Sequence, residues 1–194
     1  IDTSIDAHIV QSYERDYSNM PGQAEALIRP INDIECAISL YACQLFKIPL
    51  TISAGKTNLN GSATPKGGIV LSMEKMVFPK VKVNMDSNTV NAPVGIFLEN
   101  MRNEILMQSK NKLYYPVDPT SRNDAMVGGT ISCNASGFVP GFEGATRYWV
   151  EGLDLIMPTG FKISFQRNQY ISKNGYFLFK CDDEEIKMNV PNYN

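Results

Sequence analysis

The sequence predicts an α+β fold built as two helix-plus-sheet halves that meet near residue 90. Three observations carry this. Apolar residues recur at helical spacing in three windows, two in the first half and one in the second. Between and after these windows run short apolar stretches bounded by glycine, proline and asparagine, the pattern of brief buried strands. The length, 194 residues with 43% hydrophobic and 20% charged, suits one domain or two small subdomains sharing a core, at roughly 100–200 residues per domain. We therefore expect an N-terminal subdomain over 1–90 and a second over 91–194.

The elements follow in order. Ile5, Ile9 and Tyr13, four apart, predict a short amphipathic helix over 4–16. The clearest helix opens after Arg29-Pro30, with Asn32 as N-cap and Glu35 three residues on, a capping-box arrangement worth about 1 kcal/mol. Ile34, Ile38, Tyr41 and Leu45 then form the stripe expected to face the core, and Pro49 ends the helix. Ile48 to Ser53 is expected to be a buried strand, followed by a polar, glycine-rich loop over 54–68 and an apolar strand from Ile69 to Ser72. Two further strand candidates lie at Val81–Met85 and Thr89–Ala92. A helix is expected over Val94 to Ser109, with Ile96 or Phe97, Met101, Ile105 and Leu106 as its apolar face. Trp149–Met157 and Lys162–Gln166 are strand candidates joined by Pro158-Thr159-Gly160. Tyr176–Lys180 and Ile186–Val190 resemble a hairpin whose acidic run, Asp182-Asp183-Glu184-Glu185, suits a solvated turn better than a metal site.

Composition excludes several roles. A formal net charge of −2 and no basic stripe argue against nucleic-acid binding, which needs clustered cations to release phosphate counterions. No run approaches the roughly 18 apolar residues of a transmembrane helix. Cys36, Cys43, Cys133 and Cys181 include no C-x-x-C pair and fit no zinc spacing, so no metal site is expected. Four reduced thiols in a cytoplasmic protein are expected, with Cys36 and Cys43 as two small core residues on one helix face. The sequons at Asn60 and Asn134 are read as chance.

Chemistry concentrates in two glycine-rich segments, each expected to follow a strand. Ala54-Gly55-Lys56-Thr57-Asn58-Leu59-Asn60-Gly61 is the first; Val127-Gly128-Gly129-Thr130-Ile131-Ser132-Cys133-Asn134-Ala135-Ser136-Gly137 is the second. Backbone N–H groups in such stretches converge on phosphate oxygens, because glycine admits close approach and positive φ. If Gly128-Gly129 opens a short helix, its N-terminus would favour the same charge. Ordinary tight loops are the other reading. Neither segment fits the Rossmann or P-loop glycine spacing.

Longer motifs resolve the choice. Ile48-Pro49-Leu50-Thr51 through Gly61 resembles the I-P-V-x-x-R-G-A-G-T-G-L-x-G stretch of FAD-linked oxidases of the vanillyl-alcohol oxidase and p-cresol methylhydroxylase type. Gly68 to Met76 resembles the strand that follows it. Tyr115-Pro116-Val117-Asp118-Pro119-Thr120-Ser121 is similar to P-x-D-P-x-S, and Ala125 to Gly137 to A-T-x-G-G-x-x-x-x-N-A-x-G. Gly144 through Gly160 resembles G-T-T-R-D-x-V-x-G-L followed by P-D-G. The order and spacing of these motifs, spanning about Tyr13 to Phe165, are more specific than any one of them. The nearest branch in pattern is that of D-lactate, glycolate and related 2-hydroxy-acid dehydrogenases.

The resemblance implies two α/β subdomains with FAD between them, the PCMH-type fold, and hydride transfer from a substrate carbon to the flavin. It implies that Ser53, Ala54, Gly55, Lys56, Thr57, Asn58, Asn60 and Gly61 wrap the FAD pyrophosphate. Pro119 and Ser121 would border the flavin, Gly128, Gly129, Asn134, Ala135 and Gly137 would continue the cradle, and Val150 and Ile156 would lie along the cofactor.

Departures from the pattern matter as much. Lys56 replaces a glycine and either extends its ammonium toward the pyrophosphate or points to solvent. Asn58 replaces another, a mild change because Asn tolerates left-handed backbone. Thr57 aligns with the histidine that carries flavin in covalent members, and the only histidine, His8, lies outside every motif, so FAD is expected to be non-covalent. Phe138-Val139-Pro140-Gly141-Phe142-Glu143 stands where relatives often carry two arginines and a tyrosine, which puts 2-hydroxy-acid specificity in doubt. Tyr114 and Tyr115 suit core or rim packing. No acid/base set is present, so the catalytic residues are expected in a C-terminal substrate domain or a partner subunit. The start at Ile1 and the linker-like end at Val190-Pro191-Asn192-Tyr193-Asn194 suggest an excerpt of a longer chain. A module that has lost flavin and serves as a structural partner is the remaining alternative.

Overall fold

Four strands share the largest sheet, in the order β1-β2-β4-β3, in a computed structural model that describes residues 1–181 and 184–191. β1 (Asp2–Ser4) pairs antiparallel with β2 (Ala26–Arg29), while β4 (Ile69–Ser72) takes β2 and β3 (Leu50–Ser53) as parallel neighbours. Val70 and Leu71 of the central β4 are fully buried, as a strand covered on both faces requires. β3 and β4 are adjacent and parallel, and residues 54–68 alone join them. The glycine-rich loop is therefore also the crossover, a role more often filled by a helix.

The amino-terminal segment departs from expectation. Pairing with β2 draws residues 2–4 into the sheet, and the Asp6 carboxylate, accepting from the His8 N–H at 2.9 Å, starts the four-residue helix α1 (Ala7–Val10). A 3-10 turn over Gln11–Tyr13 follows. Val10 is the buried residue, and Ile5 and Ile9 are exposed.

Helix α2 (Asp33–Leu45) starts as expected, with the Asn32 Oδ1 accepting the Glu35 N–H at 2.9 Å. Its buried face is not the expected one. Cys36, Ser39, Leu40 and Cys43 are inward, whereas Ile34, Ile38, Tyr41 and Leu45 are more than half exposed. Both sets have helical spacing, so periodicity alone permits either phase. The smaller residues win because they let the helix lie close against Leu71 and Met76. Leu40→Ala should cost about 2–5 kcal/mol in urea denaturation, whereas Ile34→Lys should change stability by no more than about 0.5 kcal/mol.

The second half is organised on α3 (Leu98–Gln108), which begins later than its periodicity suggests. Residues 94–96 form a turn and bend instead of helix: the Gly95 N–H donates to Met76 O at 2.9 Å, and Val94 and Ile96 carbonyls accept from the chain at 127–128. Leu98, Met101 and Ile105 form the buried face, packed with Val81 and Val127 beneath the hairpin of β5 (Lys82–Asn84) and β6 (Thr89–Asn91). Leu106 is at the surface.

Two further hairpins complete the described chain. β7 (Gly152–Ile156) and β8 (Lys162–Gln166) dock on α2, where Lys162 bridges Asp33 at 2.7 Å and Asp154 at 2.9 Å, and Ile156 packs on the Cys36–Leu40 cluster. β9 (Tyr176–Cys181) and β10 (Glu184–Asn189) pair antiparallel, and Phe179 meets Tyr170 and Phe165 edge-on at 4.8 and 5.5 Å. Asp182 and Asp183 of the acidic run, and residues 192–194 of the linker-like end, lie outside the described residues. Among the described residues no helix is long and apolar enough to cross a membrane, and no cluster of three metal-ligating side chains occurs.

Candidate cofactor site

The site begins where β3 ends. Ser53 is buried at 1% exposure, and its Oγ has no hydrogen-bond partner. From Ala54 through Gly61, no backbone N–H reaches an acceptor among the described residues. These donors are half-buried as far as Asn58, and Lys56 and Gly61 have φ of +56° and +76°. Buried backbone donors are nearly always paired. A consecutive set without partners, beside an orphaned hydroxyl, fits an anionic group with many acceptor oxygens, and the pyrophosphate of FAD is one.

The second segment meets the first through glycine. A Cβ at Gly55 would stand 2.1 Å from Asp124 O, and one at Gly129 would be 3.4 Å from the Ala54 Cβ. These contacts set Ala54 and Gly55 beside the turn at 121–125 and helix α4 (Val127–Ser132). The helix forms as anticipated, although no strand precedes it; Met126 makes only a single bridge to Phe97. Its first two N–H groups are spent internally, Val127 on Ile96 O and Gly128 on Val94 O, both at 2.9 Å. Gly128 thus contributes closeness to Val94, and Gly129 alone keeps a free N–H among the described residues at this end.

Asn134, Ala135 and Gly137 are held by other parts of the second half. Asn134, at φ +45°, accepts the Arg147 N–H on its Oδ1 at 2.9 Å, and Ala135 O accepts the Thr146 hydroxyl at 2.7 Å. Gly137 lies against the Asp118 backbone, which a Cβ would approach to 2.3 Å. Pro119 is buried and Ser121 half-buried on the turn that follows. That turn is fixed by charge: Asp118 accepts from Arg122 at 2.6 Å and Arg102 at 2.9 Å, and Glu99 faces both guanidiniums. The Arg122 guanidinium holds the Asp118 carboxyl below its ordinary range, and Arg102 adds to the effect. Val150 precedes β7, and its carbonyl is gripped by Arg167, which also reaches Arg147 O. Ile156 faces the first-half core rather than the segment at 128–137.

Lys56 follows neither course expected of it. Its Nζ donates to Ser12 O at 2.7 Å and lies 4.6 Å from the Tyr13 ring centre, where burial draws its pKa down. Asn58 is anchored too, donating to Asp16 Oδ2 at 2.6 Å and to Asn60 Oδ1 at 2.9 Å. Asp16, Glu99 and Arg102 were not legible as site-forming residues, because their partners lie far away in sequence. Tyr114 is exposed, while Tyr115 is half-buried against the second core, and His8 is exposed on α1. Phe138 and Phe142 are largely exposed and bring no cation toward the cradle.

Known proteins share this fold. The family described as "FAD binding domain" matches residues 24–164. The glycolate oxidase subunit GlcD of Bacillus subtilis (strain 168) is 30% identical over 162 residues, covering 82% of this chain and 33% of that protein. The D-lactate dehydrogenase of Anaerostipes hadrus is 28% identical over 173 residues, covering 88% of this chain and 35% of the relative. Among solved structures, 6-hydroxy-D-nicotine oxidase of Arthrobacter nicotinovorans superposes with a TM-score of 0.70 at 17% identity, over 87% of this chain and 36% of that one. An alkyldihydroxyacetonephosphate synthase gives 0.73 at 16% identity, over 89% and 33%. The chain spans about a third of the length of the curated relatives it matches. With a matched span that contains both glycine segments, the chain belongs to the FAD-binding domain family of the vanillyl-alcohol oxidase and p-cresol methylhydroxylase type, whose cofactor is FAD.

Proposed function

We propose that this chain is the FAD-holding portion of a flavin-dependent dehydrogenase of 2-hydroxy acids. The unbroken set of unpaired N–H groups from Ala54 to Gly61 carries the proposal. Those donors, with Ser53 Oγ and the Gly129 N–H, would bind and orient the pyrophosphate; Pro119 and Ser121 would border the flavin ring, and Asn134, Ala135, Gly137 and Val150 would line the remaining cofactor path, with Ile156 packed into the first-half core behind it. When bound, FAD would supply the redox chemistry as a hydride acceptor, and the chain's part would be to hold and orient it. Separate hydrophobic clusters around Leu71 and Leu98 support two subdomains, although Val81 packs with the second cluster and Val94 and Ile156 with the first, so residue 90 is only an approximate division.

Attachment is non-covalent, since Thr57 offers no imidazole for a flavin link. The 2-hydroxy-acid class is supported by the names of the relatives, a glycolate oxidase subunit and a D-lactate dehydrogenase. The base that takes the hydroxyl proton belongs to a substrate domain or partner subunit, because the cradle holds no suitable acid/base group. Cys36 and Cys43 are buried free thiols, and burial pushes Cys36 up to about 11, which keeps it protonated and inert. Both suit a reducing cytoplasm. The purified chain should be yellow and release FAD into solution on acid precipitation. A colourless protein that takes up no added FAD, or flavin that stays with the precipitate, would refute the cofactor role or the non-covalent link respectively.

A further inference from the structure

The glycine loop holds its own shape only in part, through Asn60 Oδ1, which accepts from Asn58 Nδ2 and the Ser62 N–H, and Gly61 O, which accepts from the Thr64 N–H. None of its N–H groups from Ala54 to Gly61 reaches an acceptor among the described residues, so contacts from outside have to complete its conformation. Residues 12–20, which precede the matched family span, do this at several points. Ser12 O accepts the Lys56 ammonium, the Tyr13 ring lies beneath it, and the Tyr17 N–H donates to Lys56 O at 3.1 Å. Asp16 Oδ2 receives both Asn58 Nδ2 at 2.6 Å and the Ala63 N–H at 3.2 Å, while its Oδ1 receives the Ser18 N–H and hydroxyl. The Met20 sulfur fills the space beside Gly61, 2.7 Å from where a Cβ would be. Lys56 and Asn58, which stand at positions expected to be glycine, both grip this segment through their side chains.

Asp16 is 5% exposed, and among the described residues no cation lies within ion-pairing distance of it. Burial alone would push its carboxyl up, but the hydrogen bonds from Ser18, Asn58 and Ala63 outweigh it and keep the group ionised. A buried negative charge beside a loop meant for an anion is unfavourable by Coulomb's law. Its contribution must therefore be geometric.

We propose that residues 12–20 are a strap that preorganises the glycine loop for FAD, with Asp16 as the positioning residue acting through Asn58. The strap rests on the FAD reading above for its purpose, though not for its grip. Preorganisation raises affinity by removing the ordering cost from the binding step. The two explanations for Asp16 have opposite signs. Asp16→Asn removes a negative charge, which by electrostatics alone would tighten FAD, whereas its –NH2, set against the donors of either Asn58 and Ala63 or Ser18, would weaken the grip and loosen FAD.

The experiment is FAD titration of the flavin-free chain, well below its melting temperature, for wild type, D16N, N58A and the double variant. Each single variant should weaken FAD about tenfold, the scale of one lost hydrogen bond to a charged group. The double variant should be no weaker than the worse single one, because both changes break the same link. Equal or tighter binding by D16N, or losses that multiply, overturns the proposal. Tryptic cleavage after Lys56 in the flavin-free protein reads the strap without FAD: it should accelerate in D16N and N58A, and unchanged rates overturn the grip. A wild type that binds no FAD, with cleavage accelerated in the variants, removes the cofactor reading and leaves the strap. N58A leaves the buried carboxylate in place and serves if D16N fails to fold.

Discussion

Gly129→Leu should abolish FAD binding while the fold survives. Gly129 is the third residue of α4 and needs no unusual φ, so leucine costs nothing in backbone conformation and improves helix propensity by up to about 1 kcal/mol. A Cβ there meets one atom within 4 Å, the Ala54 Cβ at 3.4 Å. The rest of a leucine side chain has to enter the junction between α4 and the first glycine segment, where the donors assigned to pyrophosphate lie. Affinity should fall at least about a hundredfold, the scale of severe overpacking in a preformed site. Thermal melting should stay within a few degrees of wild type. Unchanged FAD affinity in a fluorescence titration would remove Gly129 from the site.

Gly137→Ala acts on the fold instead. Its Cβ would stand 2.3, 2.3 and 2.5 Å from the carbonyl carbon, oxygen and nitrogen of Asp118. Backbone atoms cannot rotate aside as a flexible side chain can, and the Asp118 turn is pinned by Arg102 and Arg122. The cost should be about 3 kcal/mol or more, a melting shift of roughly 6–12 °C for a chain of this size. Gly141→Ala supplies the contrast. Gly141 has φ of +77° and ψ of −160°, a region open essentially to glycine alone, with nothing within 4 Å, so only the backbone is penalised, by about 1–3 kcal/mol. If Gly141→Ala proved the more damaging of the two, the close approach of Gly137 to Asp118 would be wrong.

Local signals were legible in the sequence and distant pairings were not. The Asn32 cap, β4 from Ile69 to Ser72, and the turn between β7 and β8 are each written within a few adjacent residues, and each stands where it was expected. The phase of α2 was not, because Ile34–Leu45 and Cys36–Cys43 are both apolar stripes and only the sheet beneath selects between them. The start of α3 shows the same limit. Residues 94–97 have helical composition, but the Met76 carbonyl and the N–H groups at 127–128 claim their backbone first. In the candidate site, the glycines mark the two segments that the fold brings together. The residues that hold it, Asp16 for Asn58 and Arg102 for Asp118, lie 42 and 16 positions from their partners and left no periodic trace.

The crossover between β3 and β4 carries one more consequence, for how this stretch can change over generations. Surface loops ordinarily drift in length at little cost, each doubling adding only about 0.6 kcal/mol of closure entropy. Residues 54–68 lack that freedom in one direction. They must return the chain past the four residues of β3, roughly 13 Å, before β4 can lie parallel beside it, so deletions are tolerated only down to a minimum span while insertions meet no such limit. Natural variants should therefore accumulate insertions here far more readily than deletions, and a ligand-contacting loop carries the length constraint of a structural brace.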